Sequence, residues 1–170
     1  MSPVSAKIGK YCTISPDVEF GGDVVVHGFV NLYGCQIGDN CSIGSFVEIQ
    51  RDASLGKRVR IQSHSFICSH VIIDDDVFVG HHVSFTNDRY PTSPKATSGS
   101  WTSEGIRVGK GASIGSGAVI LCGVNIGAGA VIGAGSMVTH DIPAHTVAAG
   151  VPARILRELS PNQQWKGGAN

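Results

Sequence analysis

The sequence has no apolar run approaching the roughly 20 residues that a membrane-spanning helix needs, and no such segment is expected. It has no excess of either charge, with 13 Lys+Arg against 13 Asp+Glu. Neither a basic surface for nucleic acid nor an acidic solvating tail follows from that balance. Charge of any sign is scarce, at 15% of the chain, where soluble domains average about a quarter. The five cysteines (Cys12, Cys35, Cys41, Cys68 and Cys122) form no CxxC pair, which fits reduced thiols in a cytosolic protein. The start, Met1-Ser2-Pro3-Val4, lacks a basic residue followed by an apolar run, so no signal peptide is read there and a cytoplasmic location is expected.

What is abundant is glycine, 23 residues in 170, against an average share of about 7%. With it comes a strict period. Large apolar residues recur every sixth position at Ile8, Ile14, Phe20, Val26 and Leu32. After a slip of one residue the series resumes at Ile37 and continues through Ile43, Ile49, Leu55, Ile61, Ile67, Ile73 and Val79 to Phe85. It returns at Val108 and runs to Val138. Four residues after each lies a smaller partner, such as Val24, Cys41, Ala53, Val83, Ala112 or Ala130. A helix brings together residues three and four apart, and a plain sheet needs only alternation. One large and one small inward residue per hexad suits a triangular coil, three hexads to a turn, whose stacked coils pair their backbones. The predicted fold is all-β: a parallel β-helix over residues 1–151.

Two segments depart from the period. Residues 88–106 are polar and carry Pro91 and Pro94, so a protruding loop is expected there, anchored by Tyr90 and Trp101. At the other end Pro152 suits the first turn of a helix, so residues 152–159 are expected to form a short C-terminal α-helix capping the last coil. Residues 160–170 read as a loosely ordered tail.

Because inward positions are core, chemistry must come from outward ones. Residues eighteen apart stack on successive coils, which places His64 below His82, with Phe46 and, allowing for the one-residue slip, Phe29 continuing the column. A neighbouring column holds Asn31, Glu48, Phe66 and Ser84. Asn87 and Asp88 follow where the loop leaves, and Gln62 lies beside His64. His70, His140 and His145 read as solvated side chains.

The run Asp76-Val77-Phe78-Val79-Gly80-His81-His82-Val83-Ser84-Phe85-Thr86-Asn87-Asp88-Arg89-Tyr90-Pro91 resembles a segment of nucleotide-linked amino-sugar N-acetyltransferases, within the hexapeptide-repeat acyltransferases. Gly109-Lys110-Gly111-Ala112-Ser113-Ile114-Gly115 and Ile120-Leu121-Cys122-Gly123-Val124 are similar as well. The resemblance spans residues 8–155. It implies left-handed coiling, against the usual crossover hand. It also implies a homotrimer with sites between subunits, acetyl-CoA beside the C-terminal coils and no metal. Its expected substrate is a UDP- or dTDP-linked amino sugar of surface polysaccharide synthesis.

On that reading His64, His82 and Asn87 are the catalytic candidates, with His64 taking the proton of the attacking amine, since histidine titrates near neutrality. A backbone N–H of Gly80 or His81 would stabilise the oxyanion. Asn31, Glu48, Gln62, Asp88 and Tyr90 would bind the sugar. Lys110, Gly123, Ala128, Arg154 and Trp101 would bind the cofactor. Three alternatives stay open: an O-acetyltransferase acting on a sugar or serine hydroxyl, a γ-class carbonic anhydrase with zinc on three histidines, and a non-catalytic β-helix scaffold. Against the second, His64 and His70 are six residues apart, and the adjacent pair His81-His82 does not readily face one metal.

Overall fold

The computed structural model describes residues 6–164. They form a left-handed parallel β-helix with three faces. Face 1 has nine strands, from Lys7–Ile8 to Ala153–Glu158; face 2 has seven, from Thr13–Ile14 to Met137–Val138; face 3 has six, from Glu19–Phe20 to Asn125–Ile126. Three edges separate them: the first joins faces 1 and 2, the second joins 2 and 3, and the third joins 3 and 1.

The register follows the hexad count. Lys7 pairs with Val25 and Arg60 with Phe78, each eighteen residues on. Val25 pairs with Ser42, only seventeen on, because one turn of the second edge is a residue short at Tyr33-Gly34-Cys35. Gly34 makes that turn with φ 58°, and a Cβ there would lie 2.9 Å from Cγ of Arg51, so a larger residue would have to displace that side chain.

The inward large residues fill the prism. Leu32, Ile43, Ile49, Ile67, Ile114 and Ile120 are fully buried, and Phe85 is 1% exposed. Burying each such side chain contributes about 2 kcal/mol. The smaller partners, Val24, Val59, Ala112, Ala118 and Ala130, are buried beside them and leave the corners room to turn. At the first coil the column opens, and Ile8 is half exposed.

The upper end corrects one expectation. Residues 152–159 are not helical. Strand Ala153–Glu158 pairs antiparallel with Thr146–Gly150 across a turn at Val151–Pro152. The reason is backbone satisfaction. Thr146–Gly150 is the last parallel strand of face 1, and a returning strand pairs its outer side. A free helix of so few residues would be marginal. Ala148, Ala153 and Leu159 close the prism from above. Of the expected tail, Gln163 and Gln164 donate backbone bonds to Ser160, and residues 165–170 lie outside the described residues.

The protruding loop is present. The coil breaks after Phe85 and resumes with strand Ile106–Val108. Within the loop a one-turn helix, Ser93–Ser98, starts at the Thr92 hydroxyl and ends at Gly99 (φ 68°), with none of its residues buried. The loop is clasped at its base. Arg89 donates to both Glu104 carboxylate oxygens (3.3 and 3.0 Å) and to the Cys122 carbonyl (2.8 Å), while the Glu104 N–H donates to the Asn87 carbonyl.

Candidate active site

The candidate residues sit on turns and outward strand positions, so each edge carries a column one coil spacing apart. On the first edge the ring stack is continuous. Tyr11, Phe29, Phe46, His64 and His82 lie ring on ring, with centroids 5.1, 5.1, 4.7 and 4.7 Å apart. Each has φ between 55° and 63°, a region that bulky side chains rarely adopt. Stacking each ring on its neighbour offsets part of that strain. Gln62 precedes this column, and Ser63 bonds Nδ1 of His81 at 2.8 Å.

The second edge carries Asn87, Asp88 and the loop. Asp88 accepts a bond from the Tyr90 N–H (2.8 Å), so one of its oxygens performs turn chemistry. Tyr90 is largely exposed. A cleft of about 240 Å³ is lined by Asn87, Asp88, Pro91, Thr92, Ala96 and Trp101. Trp101 therefore packs within its own loop, beside Asn87. His70 lies on this edge too, directly beneath the loop, and its carbonyl accepts from the Ile106 N–H.

The three residues expected to be catalytic are thus divided. His64 and His82 share the first edge, while Asn87 lies at the far end of a face 2 strand. Five residues of extended chain separate His82 from Asn87, roughly 16 Å. One copy of the chain does not bring all three to one reacting bond. Between the two edges lies the column Asn31, Glu48, Phe66, Ser84, in direct register. Glu48 is held within its own face: the Tyr33 hydroxyl (2.9 Å) and the Gln50 amide (3.0 Å) both donate to its Oε1. Burial and the Glu48 carboxylate hold the Tyr33 phenol above its ordinary value.

The expected oxyanion donors are engaged elsewhere. The Gly80 N–H donates to the Ile114 carbonyl (2.8 Å) and the His81 N–H to the Ser116 hydroxyl (3.1 Å). The coil-to-coil ladder uses the first and a side chain of the next coil the second, so both amides are engaged within the chain.

The cofactor candidates line face 3 and its borders. A groove of about 550 Å³ crosses this face, with Lys110 and Ala128 at the third edge and Asn125 and Asp141 toward the second. A second groove, about 410 Å³, continues downward and shares Asp74, Arg107 and Lys110. A third, about 460 Å³, continues upward to Arg154 and shares Asp141 and Ile142. Arg107 holds Asp74 with both oxygens at 2.8 and 3.1 Å. Gly123 lies apart, on the second edge, where a Cβ would meet the Glu104 carboxylate at 2.7 Å. Its role is to let the loop clasp close.

Arg107 was legible from register, since it pairs with Ile72 on face 3, but the sequence reading passed over it. Tyr33, Gln50 and the Arg89–Glu104 clasp were missed because the columns of His64 and Glu48 alone were followed. His145 is no freely solvated side chain, because its Nδ1 is buried, without a hydrogen-bond partner, against Gly129. Among the described residues, no three His, Cys, Asp or Glu side chains group as metal ligands, and no helix is long and apolar enough to cross a membrane.

The bacterial transferase hexapeptide family (six repeats) matches residues 34–69 and 105–140. No curated protein sequence matches the chain. Among solved structures, a hexapeptide-repeat-containing acetyltransferase from Vibrio cholerae, complexed with acetyl coenzyme A, is 26% identical with a TM-score of 0.66, covering 75% of this chain and 72% of that one. A mutant perosamine N-acetyltransferase from Caulobacter crescentus, in complex with CoA and GDP-perosamine, is 23% identical with a TM-score of 0.61, covering 88% of this chain. The acetyltransferase domain of PglB from Neisseria gonorrhoeae, in complex with acetyl coenzyme A, is 20% identical with a TM-score of 0.58, covering 86%. The chain spans only 57% of the Caulobacter protein and 55% of the Neisseria one. Repeat, register and these likenesses agree: the chain is a hexapeptide-repeat protein with the left-handed β-helix of the hexapeptide-repeat acetyltransferases.

Proposed function

We propose that the protein is an acetyl-CoA-dependent N-acetyltransferase that modifies the amino group of a nucleotide-linked sugar and works as a homotrimer in the cytoplasm, for surface polysaccharide synthesis. The observation that carries this reading is the division of candidate groups over neighbouring edges. A polar, histidine-bearing edge and a loop-bearing edge lie too far apart in one copy, and a cyclic assembly sets one copy's edge against another's. Face 3 supplies a long groove bordered by Arg107, Lys110 and Arg154, suited to the phosphates and the extended pantetheine of CoA. The acetyl-CoA complex of the Vibrio protein supports the cofactor, and the GDP-perosamine complex supports the acceptor class.

Amide formation needs a neutral amine, a polarised thioester carbonyl and a route for one proton. In this mechanism an edge nitrogen of His64 accepts that proton as the amine attacks; the tetrahedral intermediate then breaks its C–S bond and releases CoA as a thiolate, which takes the proton from His64. Its ring plane is set by Phe46 below and His82 above, so His82 positions it. Asn87, from the neighbouring copy's loop edge, orients the thioester carbonyl. Asn31, Glu48, Gln62, Asp88 and Tyr90 hold the sugar. Lys110, Arg154 and Ala128 line the cofactor's path, with Trp101 near its thiol end. Holding both reactants in register supplies much of the acceleration.

The test is direct. Calorimetric titration with acetyl-CoA, then mass spectrometry with a panel of UDP-, dTDP- and GDP-linked amino sugars, should give saturable binding and a product heavier by one acetyl group. Absence of acetyl-CoA binding overturns the reading.

A further inference from the structure

We infer that Glu48 is the centre of a carbohydrate subsite on face 2, reading a hydroxyl of the acceptor sugar. The inference rests on the acetyltransferase reading only for the identity of that sugar.

A solvated surface glutamate has no fixed orientation. Glu48 has one, and it is lopsided. Both of its donors, the Tyr33 hydroxyl and the Gln50 amide, bond the same oxygen, Oε1. Gln50 is itself tied to the next coil, where the Ser69 hydroxyl donates to its Oε1 at 3.4 Å. Three successive coils thus hold one carboxylate, and among the described residues Oε2 has no partner. An ionised carboxylate oxygen is an acceptor only. A pre-oriented one left open on a strand is suited to receive an O–H, and a charge-assisted bond of that kind is among the stronger ones.

Its neighbours set the ligand class. Asn31 lies in register one coil below and Phe66 one coil above, each about 4.8 Å away along the sheet. Amide, carboxylate and aryl ring form a strip about 10 Å tall by the same spacing. A pyranose has an apolar C–H face for the ring and rim hydroxyls for the amide and carboxylate. The column from Thr13 to Met137 contains no Lys or Arg, so it does not attract a diphosphate. Arg107, Lys110 and Arg154 border the face 3 grooves instead. The column therefore suits the uncharged ring of the acceptor sugar and not the diphosphate that links it to its nucleotide. The subsite also lies one coil below His64, within reach of a sugar whose amine meets that histidine.

The experiment compares wild type with Glu48→Gln and Tyr33→Phe. Glu48→Gln keeps the shape and turns one acceptor oxygen into a donor. Steady-state kinetics should show KM for the amino sugar raised at least about tenfold in Glu48→Gln, with KM for acetyl-CoA and the melting temperature unchanged. Tyr33→Phe, a positioning change, should raise the same KM by a smaller factor. A deoxy analogue lacking the recognised hydroxyl should be equally poor with wild type and Glu48→Gln. An unchanged sugar KM in Glu48→Gln, or a parallel rise in both KM values, overturns the subsite. A second readout needs no turnover. Saturation-transfer NMR with methyl glucosaminide should show binding to wild type that Glu48→Gln loses, and equal or absent binding in both overturns the subsite. If that binding is seen but no acetyl transfer occurs with any acceptor, the acetyltransferase reading falls and the subsite stands.

Discussion

The imidazoles of His64 and His82 lie 4.7 Å apart and 9° from parallel, eighteen residues distant in sequence. His64 is stacked on both faces, by Phe46 and His82, so its ring edge, carrying the nitrogens, is what reaches solvent along the first edge. Asn87 is on the second edge, a strand's length away. The proposed site shared between copies is tested by complementation. His64→Ala and Asn87→Ala proteins should each lose most activity alone. Unfolded together at equal amounts and refolded, they should recover about a quarter of wild-type activity, because one random interface in four pairs the two intact edges. A mixture no more active than its parts would remove the shared site.

The cations around face 3 should act on the cofactor alone. Lys110→Ala and Arg154→Ala are expected to raise KM for acetyl-CoA by about five- to twentyfold each, as for a surface charge meeting a phosphate, with little change in kcat. The effect should shrink in 0.5 M salt, by screening. A kcat loss at unchanged KM would place these residues in another role.

The loop clasp should be sensitive to acid. The Arg89 guanidinium, donating to Glu104, holds that carboxyl below its ordinary value. A depressed folded value means that the clasp contributes above the ordinary carboxylate range and loses its contribution as pH falls through the lowered value. Amide exchange in residues 89–102, corrected for intrinsic rates, should rise below that range. Glu104→Gln should show the open loop already at neutral pH, with trypsin cutting at Lys95 several-fold faster than in wild type. Equal cleavage of both proteins would show that the clasp does not govern the loop.

The thiols should divide by position. Burial pushes Cys35 and Cys41 up to about 11 and Cys68 up to about 12, so their thiolates are scarce at neutral pH. Cys122 is fully buried as well. A maleimide at pH 7.5 should modify Cys12 first, and the other four only on unfolding. Rapid modification of more than one site in the native protein would show that the prism opens.

Much of this molecule was readable before any coordinates. Ile43, Ile61 and Ile114 announce the coil because a six-residue period is satisfied by three-sided winding and by little else. The eighteen-residue count placed His82 over His64 and, with the one-residue slip allowed for, Glu48 over Asn31 correctly. The reading failed where local signals pointed away from tertiary demand. Pro152 suits a helix start, yet the open edge of Thr146–Gly150 drew Ala153–Glu158 into a strand. The Gly80 and His81 amides seemed available because sequence cannot show which backbone groups a ladder consumes.

By itself the sequence determined the architecture and its register, since inward residues are selected by volume at every sixth position and a slip would turn them to water. Only the tertiary structure decided the partners: which edge each histidine occupies, that both donors reach one oxygen of Glu48, and that Arg89 reaches across to Glu104. Those contacts join residues whose separation obeys no period. They depend on where turns and the loop direct long side chains in space, which local chain chemistry does not encode.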